Sequence, residues 1–150
     1  MNTENALQTA ESLLTAWTTD ADMPAANRLD VMIDVADLVA AVLALDQSGW
    51  GYLAAITSLD LGPEAGAMEV LYHFCAGATV VTLRVKVARQ AAVVPTVCGL
   101  IPSASCFERE LSEMFGITVA GTPNPDRLFL PDEWPEAVYP LRKDFQPSKT

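Results

Sequence analysis

MEVLYHFCAGATVVTLRVKV (residues 68–87) decides the fold. Val81, Leu83, Val85 and Val87 alternate with Thr82, Arg84 and Lys86, so one side of an extended strand is dry and the other wet. Residues 68–75 supply a second apolar run, and Ala76-Gly77-Ala78 makes a hairpin-like connection between the two. Upstream, residues 52–61 read as a third strand, set off by the loop Gly62-Pro63-Glu64-Ala65-Gly66. Together they predict an antiparallel meander with one face on a core. Two earlier segments can cover that face. Leu7, Ala10, Leu14 and Trp17 share one side of a helix over residues 5–17, and Leu38, Val42 and Leu45 share one side of a helix over residues 35–47. Asp34 is placed to cap the second helix and Ser48-Gly49 to end it. Between them, residues 18–24 read as a break and residues 28–33 as a short strand. The expected fold class is α+β: a mainly antiparallel sheet covered by helices on one face, with an extended Pro-rich C-terminal tail.

Downstream of the sheet the pattern changes. Pro95 suits the first turn of a short helix over residues 96–100. Ser105 and Glu108 have capping-box spacing, and a helix over residues 106–115 should stop at Gly116. Its apolar stripe reads as Phe107, Leu111, Met114 and Phe115, with Glu108, Arg109, Glu110, Ser112 and Glu113 on the other sides. Residues 117–120 can add one more strand. Beyond Gly121 lie six of the chain's ten prolines, which bar helix and central strand. Two units are therefore expected, a domain over residues 1–120 and a partner-docking tail over residues 121–150. The tail bears Phe129, Trp134, Tyr139 and Phe145, which need a surface to lie on. That surface is the protein's own body or a partner's.

Composition narrows the function. The chain has 150 residues and a formal net charge of −10. Residues 1–80 hold eleven acidic groups and one basic group, Arg28, whereas residues 81–150 hold eight of each. Such an acidic half argues against nucleic acid and anionic lipid as partners. No apolar stretch is long enough to span a bilayer, and the N-terminus lacks the basic region of a secretory signal. Three cysteines without metal spacing, Cys75, Cys98 and Cys106, fit a reduced cytoplasmic setting. His73, the single histidine, reads as a half-buried strand residue, and Cys106 as a small buried residue at a helix start. No GxSxG or phosphate loop occurs. Glu110 and Glu113 with Arg109 could serve acid–base chemistry, but a solvated or ion-paired helix face is the simpler reading. The charge run Leu141-Arg142-Lys143-Asp144 suits a surface patch or a docking point equally.

Three ordered motifs, FERELSEMFGI, LFLPDEW and YPLRKDF (within residues 107–145), resemble the C-terminal signature of the 30-kilodalton subunit family of respiratory complex I. That family includes the equivalent subunits of membrane-bound, energy-converting [NiFe] hydrogenases. The preceding VVPTVCGLIPSA is also similar. This sequence departs from the family pattern at Cys106 and Thr122, and its WPEAVYP looks more like the hydrogenase branch.

The resemblance implies a non-catalytic peripheral-arm subunit that binds no cofactor itself. It implies two partners: the large subunit bordering the quinone site or holding Ni–Fe, and an Fe–S subunit of the same arm. Membrane association would be indirect, on the cytoplasmic side. Carried over by position, the partner interface is expected at Glu108, Arg109, Glu110, Glu113, Arg127, Leu130, Trp134, Tyr139, Leu141, Arg142, Lys143 and Asp144. The alternatives are a subunit of an NADH:quinone oxidoreductase proper, a stand-alone enzyme using Glu110 or Glu113, and a free interaction module whose tail folds back on its own body.

Overall fold

The computed structural model describes residues 2–147; the last three positions of the expected tail, residues 148–150, lie outside the described residues. The elements are α1 (Thr3–Leu14), β1 (Thr18–Ala25), β2 (Arg28–Ile33), a 3-10 turn (Val35–Asp37), α2 (Leu38–Gln47), β3 (Tyr52–Asp60), β4 (Ala67–Ala76), β5 (Thr79–Ala88), β6 (Val93–Pro95), α3 (Ala104–Phe115) and β7 (Thr118–Ala120).

The main sheet has the order β1-β2-β5-β4-β3. All its neighbours are antiparallel except β2 and β5, which run parallel with Val31 beside Leu83. The chain leaves β2, passes through α2 and enters β3 at the far side, the helical crossover that same-direction strands require. The alternation in β5 holds. Val81, Leu83 and Val85 are fully buried, and register sets them beside Phe74, Tyr72 and Val70 of β4. Leu7, Ala10 and Leu14 of α1 and Leu38, Val42 and Leu45 of α2 close the same core. Each such buried leucine contributes about 1.5–3 kcal/mol relative to exposure. The indole N–H of Trp50 donates to the Ala6 carbonyl at 2.9 Å, tying the end of α2 to α1.

The opposite face carries polar side chains. Arg84 pairs with Asp30 at 3.2 Å and with Glu69. His73 sits between the hydroxyls of Thr57 and Thr82, at 2.9 and 3.0 Å. Burial, with Arg28 nearby, lowers the pKa of this histidine and favours its neutral form.

Several sequence expectations are corrected. Residues 18–24 are a strand rather than a break. As an edge strand exposed along nearly its whole length, β1 has no buried face to impose alternation, and it tolerates Pro24. The α2 segment opens with a 3-10 turn, and Asp34 makes no side-chain cap bond. Pro95 ends the short strand β6, which pairs in parallel with β7, and residues 98–100 form a turn instead of a helix. The α3 helix begins at Ala104, and Ser103 makes no side-chain cap bond. Cys106 is exposed, while Cys98 is the buried cysteine.

Gly51 joins α2 to β3 with φ +62°, and a Cβ there would stand 2.1 Å from the Cys75 carbonyl oxygen. Gly51→Ala combines a left-handed backbone with a backbone clash and should cost about 2–3 kcal/mol. Urea denaturation of the two proteins measures it.

Candidate functional site: a charged helix and the segment it holds

The α3 helix presents two working faces. Ala104, Glu108 and Leu111 point into the core at i, i+4 and i+7. Glu108, 1% exposed, therefore lies in phase with the buried stripe. Its carboxylate accepts the Val97 N–H at 2.8 Å, the Thr96 hydroxyl at 2.8 Å and the Cys98 thiol at 3.0 Å. Burial raises the pKa of Cys98, keeping it a thiol able to donate. With no cation in contact among the described residues, these three donors replace the water that a buried carboxylate loses. The expected solvated or ion-paired face is corrected here: Glu108 fastens the loop after β6.

The second face holds Arg109 and Glu113, one turn apart. They do not pair with each other. Arg109 donates to the carbonyls of Asp126 and Arg127 at 2.8 and 2.7 Å. Glu113 accepts the N–H groups of Leu128, Phe129 and Leu130 at 3.1, 2.8 and 3.2 Å. One backbone group from each of five consecutive residues is thus held by one cation and one anion, each taking the peptide polarity it attracts. Residues 121–147 form no helix or strand of their own, so this pair satisfies backbone that has no ladder. Arg127 continues the pattern, donating to the carbonyls of Pro131 and Trp134 at 3.0 and 2.8 Å.

The next stretch covers the end of α3. Gly116 ends the helix at φ +73°, and a Cβ there would lie 2.4 Å from the Tyr139 ring, so only glycine admits that ring. The Leu141 N–H donates to the Met114 carbonyl at 3.1 Å, and Arg142 to the Phe115 carbonyl at 2.6 Å. These are orphan acceptors of a helix C-terminus, where positive charge is favoured. The Arg142 guanidinium also lies 4.7 Å from the Tyr139 ring centre.

The last tie reaches the sheet. Asp60, at the end of β3, takes the Arg89 guanidinium in a fork of 2.8 and 3.0 Å. It also accepts the N–H groups of Gly62 at 2.9 Å and Lys143 at 2.8 Å. Arg89 bridges onward to Asp144 at 2.5 Å. The Arg89 hydrogen bonds hold the Asp60 carboxyl far below its ordinary range, against the opposing effect of burial. Arg89 is in turn raised by Asp60 and Asp144, and Arg89 lowers Asp144.

The structure therefore gathers Glu108, Arg109, Glu113, Arg127, Arg142 and Asp144 into contacts within the protein. The Lys143 and Leu141 ties are made by backbone, leaving their side chains exposed. Glu110 makes no side-chain hydrogen bond or ion pair among the described residues, and Leu130 is half-buried. Of the tail aromatics, Trp134 and Phe145 stack obliquely at 6.1 Å, Tyr139 sits on α3, and Phe129 is 64% exposed. Sequence reasoning missed Asp60 and Arg89. For Arg89 the signal was present, since it is in phase with Val85 and Val87. Asp60 gave none, because the apolar Leu59 and Leu61 beside it make its own side read as the wet one, whereas Leu59 is in fact exposed. Among the described residues no cluster of three or more His, Cys, Asp or Glu could hold a metal, and no helix is long and apolar enough to cross a membrane.

The sequence profile of the family described as "Respiratory-chain NADH dehydrogenase, 30 Kd subunit" matches residues 31–150. An NADH-quinone oxidoreductase subunit of Moorella thermoacetica is 35% identical over 103 residues, covering 67% of this chain and 68% of the relative. The membrane-bound hydrogenase subunit beta of Pyrococcus furiosus is 38% identical over 87 residues, covering 57% of this chain and 50% of the relative. Formate hydrogenlyase subunit 5 of Escherichia coli is 44% identical over 64 residues, 43% of this chain but 11% of that much longer protein. The chain thus spans from about a tenth to two thirds of these relatives. One polypeptide of the structure of an archaeal membrane-bound sulfane sulfur reductase superposes with a TM-score of 0.79 over 95% of this chain and 86% of its own length. Identity there is 21%, so the likeness speaks for the fold.

Glu113→Ala removes the acceptor for three N–H groups and should cost about 2–4 kcal/mol. Amide exchange at residues 128–130 should quicken, and Glu110→Ala should leave it unchanged. Asp60 gives a pH test. Its folded pKa lies below the unfolded one, so its stabilisation is fully present above about pH 4 and is lost as pH falls towards the folded value. Denaturant titrations of the protein and of Asp60→Asn should differ by roughly 3 kcal/mol at pH 7. The gap should narrow towards pH 2, and a gap independent of pH would show that the ionised pair is not its source.

Proposed function

The chain belongs to the family of the respiratory-chain NADH dehydrogenase 30 Kd subunit, and on that premise we propose that it is an accessory subunit of a membrane-attached, complex I-like oxidoreductase. The observation that carries the reading is the use made of the charged helix. Glu108, Arg109 and Glu113 are all spent on holding loops of their own polypeptide. A carboxylate already accepting three N–H donors has little capacity left to take a substrate proton. This supports a bracing role over a stand-alone enzyme built on Glu113 with Arg109, and it also removes Arg109 as a ready partner for Glu110.

The partners we propose are the large subunit of the complex and an Fe–S subunit of the same arm. The clusters would sit in those partners, with Ni–Fe in a hydrogenase-type complex, and this chain would hold none. Attachment to the membrane would be indirect, on its cytoplasmic side. A hydrogenase-type complex is favoured by the hydrogenase relatives and by the WPEAVYP spelling. A quinone reductase is the alternative, supported by the Moorella relative. The contact would lie on the outer side of the tail. Phe129 and Leu141 are 64% and 52% exposed, and Trp134, Val138 and Phe145 of the same segment line a cleft of about 520 Å³. Exposed aromatic and aliphatic anchors and an apolar cleft suit a protein interface.

Purification of the tagged full-length protein from its native membrane tests the proposal. Co-isolation of a large subunit with paired CxxC motifs selects the hydrogenase branch. A large subunit lacking them, with quinone-linked activity, selects the other. Isolation without any redox subunit would overturn both. Phe129→Ala combined with Leu141→Ala should lower partner retention about tenfold, as expected for loss of two modest anchors. The unfolding midpoint should not move, because both side chains are exposed. Unchanged retention would remove the outer tail from the interface.

A further inference from the structure

A second surface lies away from α3 and the tail. The outer side of α1 and the β1–β2 hairpin enclose a groove of about 430 Å³. Leu7, Met23 and Leu29 give it an apolar floor, and Glu4 and Glu11 stand on its α1 side. Met23 is 57% exposed, although it is a large apolar side chain on an edge strand rich in polar residues. Glu4 and Glu11 are seven residues apart, which places them on one helix face about 10 Å from each other. Neither enters an ion pair among the described residues, and the single basic group of residues 1–80, Arg28, is turned to Asp30. The residues lining the groove all precede residue 31, where the family match begins. The groove therefore lies outside the portion matched by the family profile, and it is independent of the role proposed for the tail.

We propose that this groove binds an amphipathic helix of a partner protein. That helix would seat an apolar side chain on Met23, Leu7 and Leu29 and carry two basic residues, two turns apart, facing Glu4 and Glu11. The charge pattern selects this occupant. A second copy of the protein would bring more carboxylates to the rim, and an anionic lipid surface would be repelled by it. A helix laid along α1 repeats the spacing of the two carboxylates, and an apolar groove with charged margins is the usual seat for such a helix.

The test is a titration of the isotopically labelled full-length protein with a blocked synthetic helix of about 15 residues. The helix bears a central leucine and two lysines seven positions apart. Saturable amide shifts confined to the Glu4–Glu11 side of α1 and to the residues around Met23 are expected, with the α3 and tail signals unmoved. Glu4→Gln with Glu11→Gln should weaken binding roughly tenfold at low salt, and Met23→Ser should weaken it several-fold. All three positions are exposed, so these variants keep the fold, which the spectrum itself verifies. The proposal is overturned by shifts spread over Asp20, Asp34 and Asp46 without dependence on Met23, which would mean diffuse attraction. Equal binding of a helix with glutamates in place of lysines overturns it too, as does self-association through the groove or an absence of saturable shifts.

Discussion

Asp60 is the point at which the sheet, a loop and the C-terminal segment are joined. Its two oxygens receive four donors, from Gly62, from both arms of Arg89 and from the backbone of Lys143. Both Asp60 and Arg89 are buried. Taking such ions out of water is costly, and attraction alone repays that cost only with good geometry and filled lone pairs. Here the fork is bidentate, and backbone N–H groups fill the rest. A hydrophobic pair could make the end of the core as stable. It could not present a hydrogen-bond acceptor to a passing strand of backbone, and Lys143 is seated through that acceptor.

The α3 helix extends the same principle. Glu108 faces the core and fastens the loop after β6, while Arg109 and Glu113 face the C-terminal segment and fasten residues 126–130. The segment then turns back so that Leu141 and Arg142 complete the helix C-terminus. The helix needs the segment to satisfy its last carbonyls, and the segment needs the helix to satisfy its unladdered backbone. The motifs that mark the family in sequence are, in space, the two halves of this exchange. That explains why a protein with so much charge in one short helix need not have an active site there.

Much of the fold was legible. The alternation of Val81, Leu83, Val85 and Val87, the turn at Gly77 and the stop at Gly116 each follow from local geometry, and each appears in the structure. What was not legible depended on partners distant in sequence. The β1 strand has no buried face and so left no pattern. Pro95 suits either a helix start or a short strand, and only its pairing with Ala120 decides. Glu108 and Glu113 were sorted with the solvated residues because a glutamate usually is one. Their burial is possible only because donors from other parts of the protein arrive at the right points, three backbone N–H groups for Glu113 and one N–H, a hydroxyl and a thiol for Glu108. Most of the residues expected at a partner interface meet around α3 and the segment it holds, and the contacts that occupy their polar groups lie within the protein itself.

Glu113 holds Leu128, Phe129 and Leu130 by their peptide N–H groups, and so is indifferent to their side chains. The anchor is blind to sequence and the surface above it is not. Exposed side chains there can therefore drift, changing what the segment displays, while its position stays fixed. Proline, which has no N–H to offer, is the one residue these three positions cannot accept without loosening the grip.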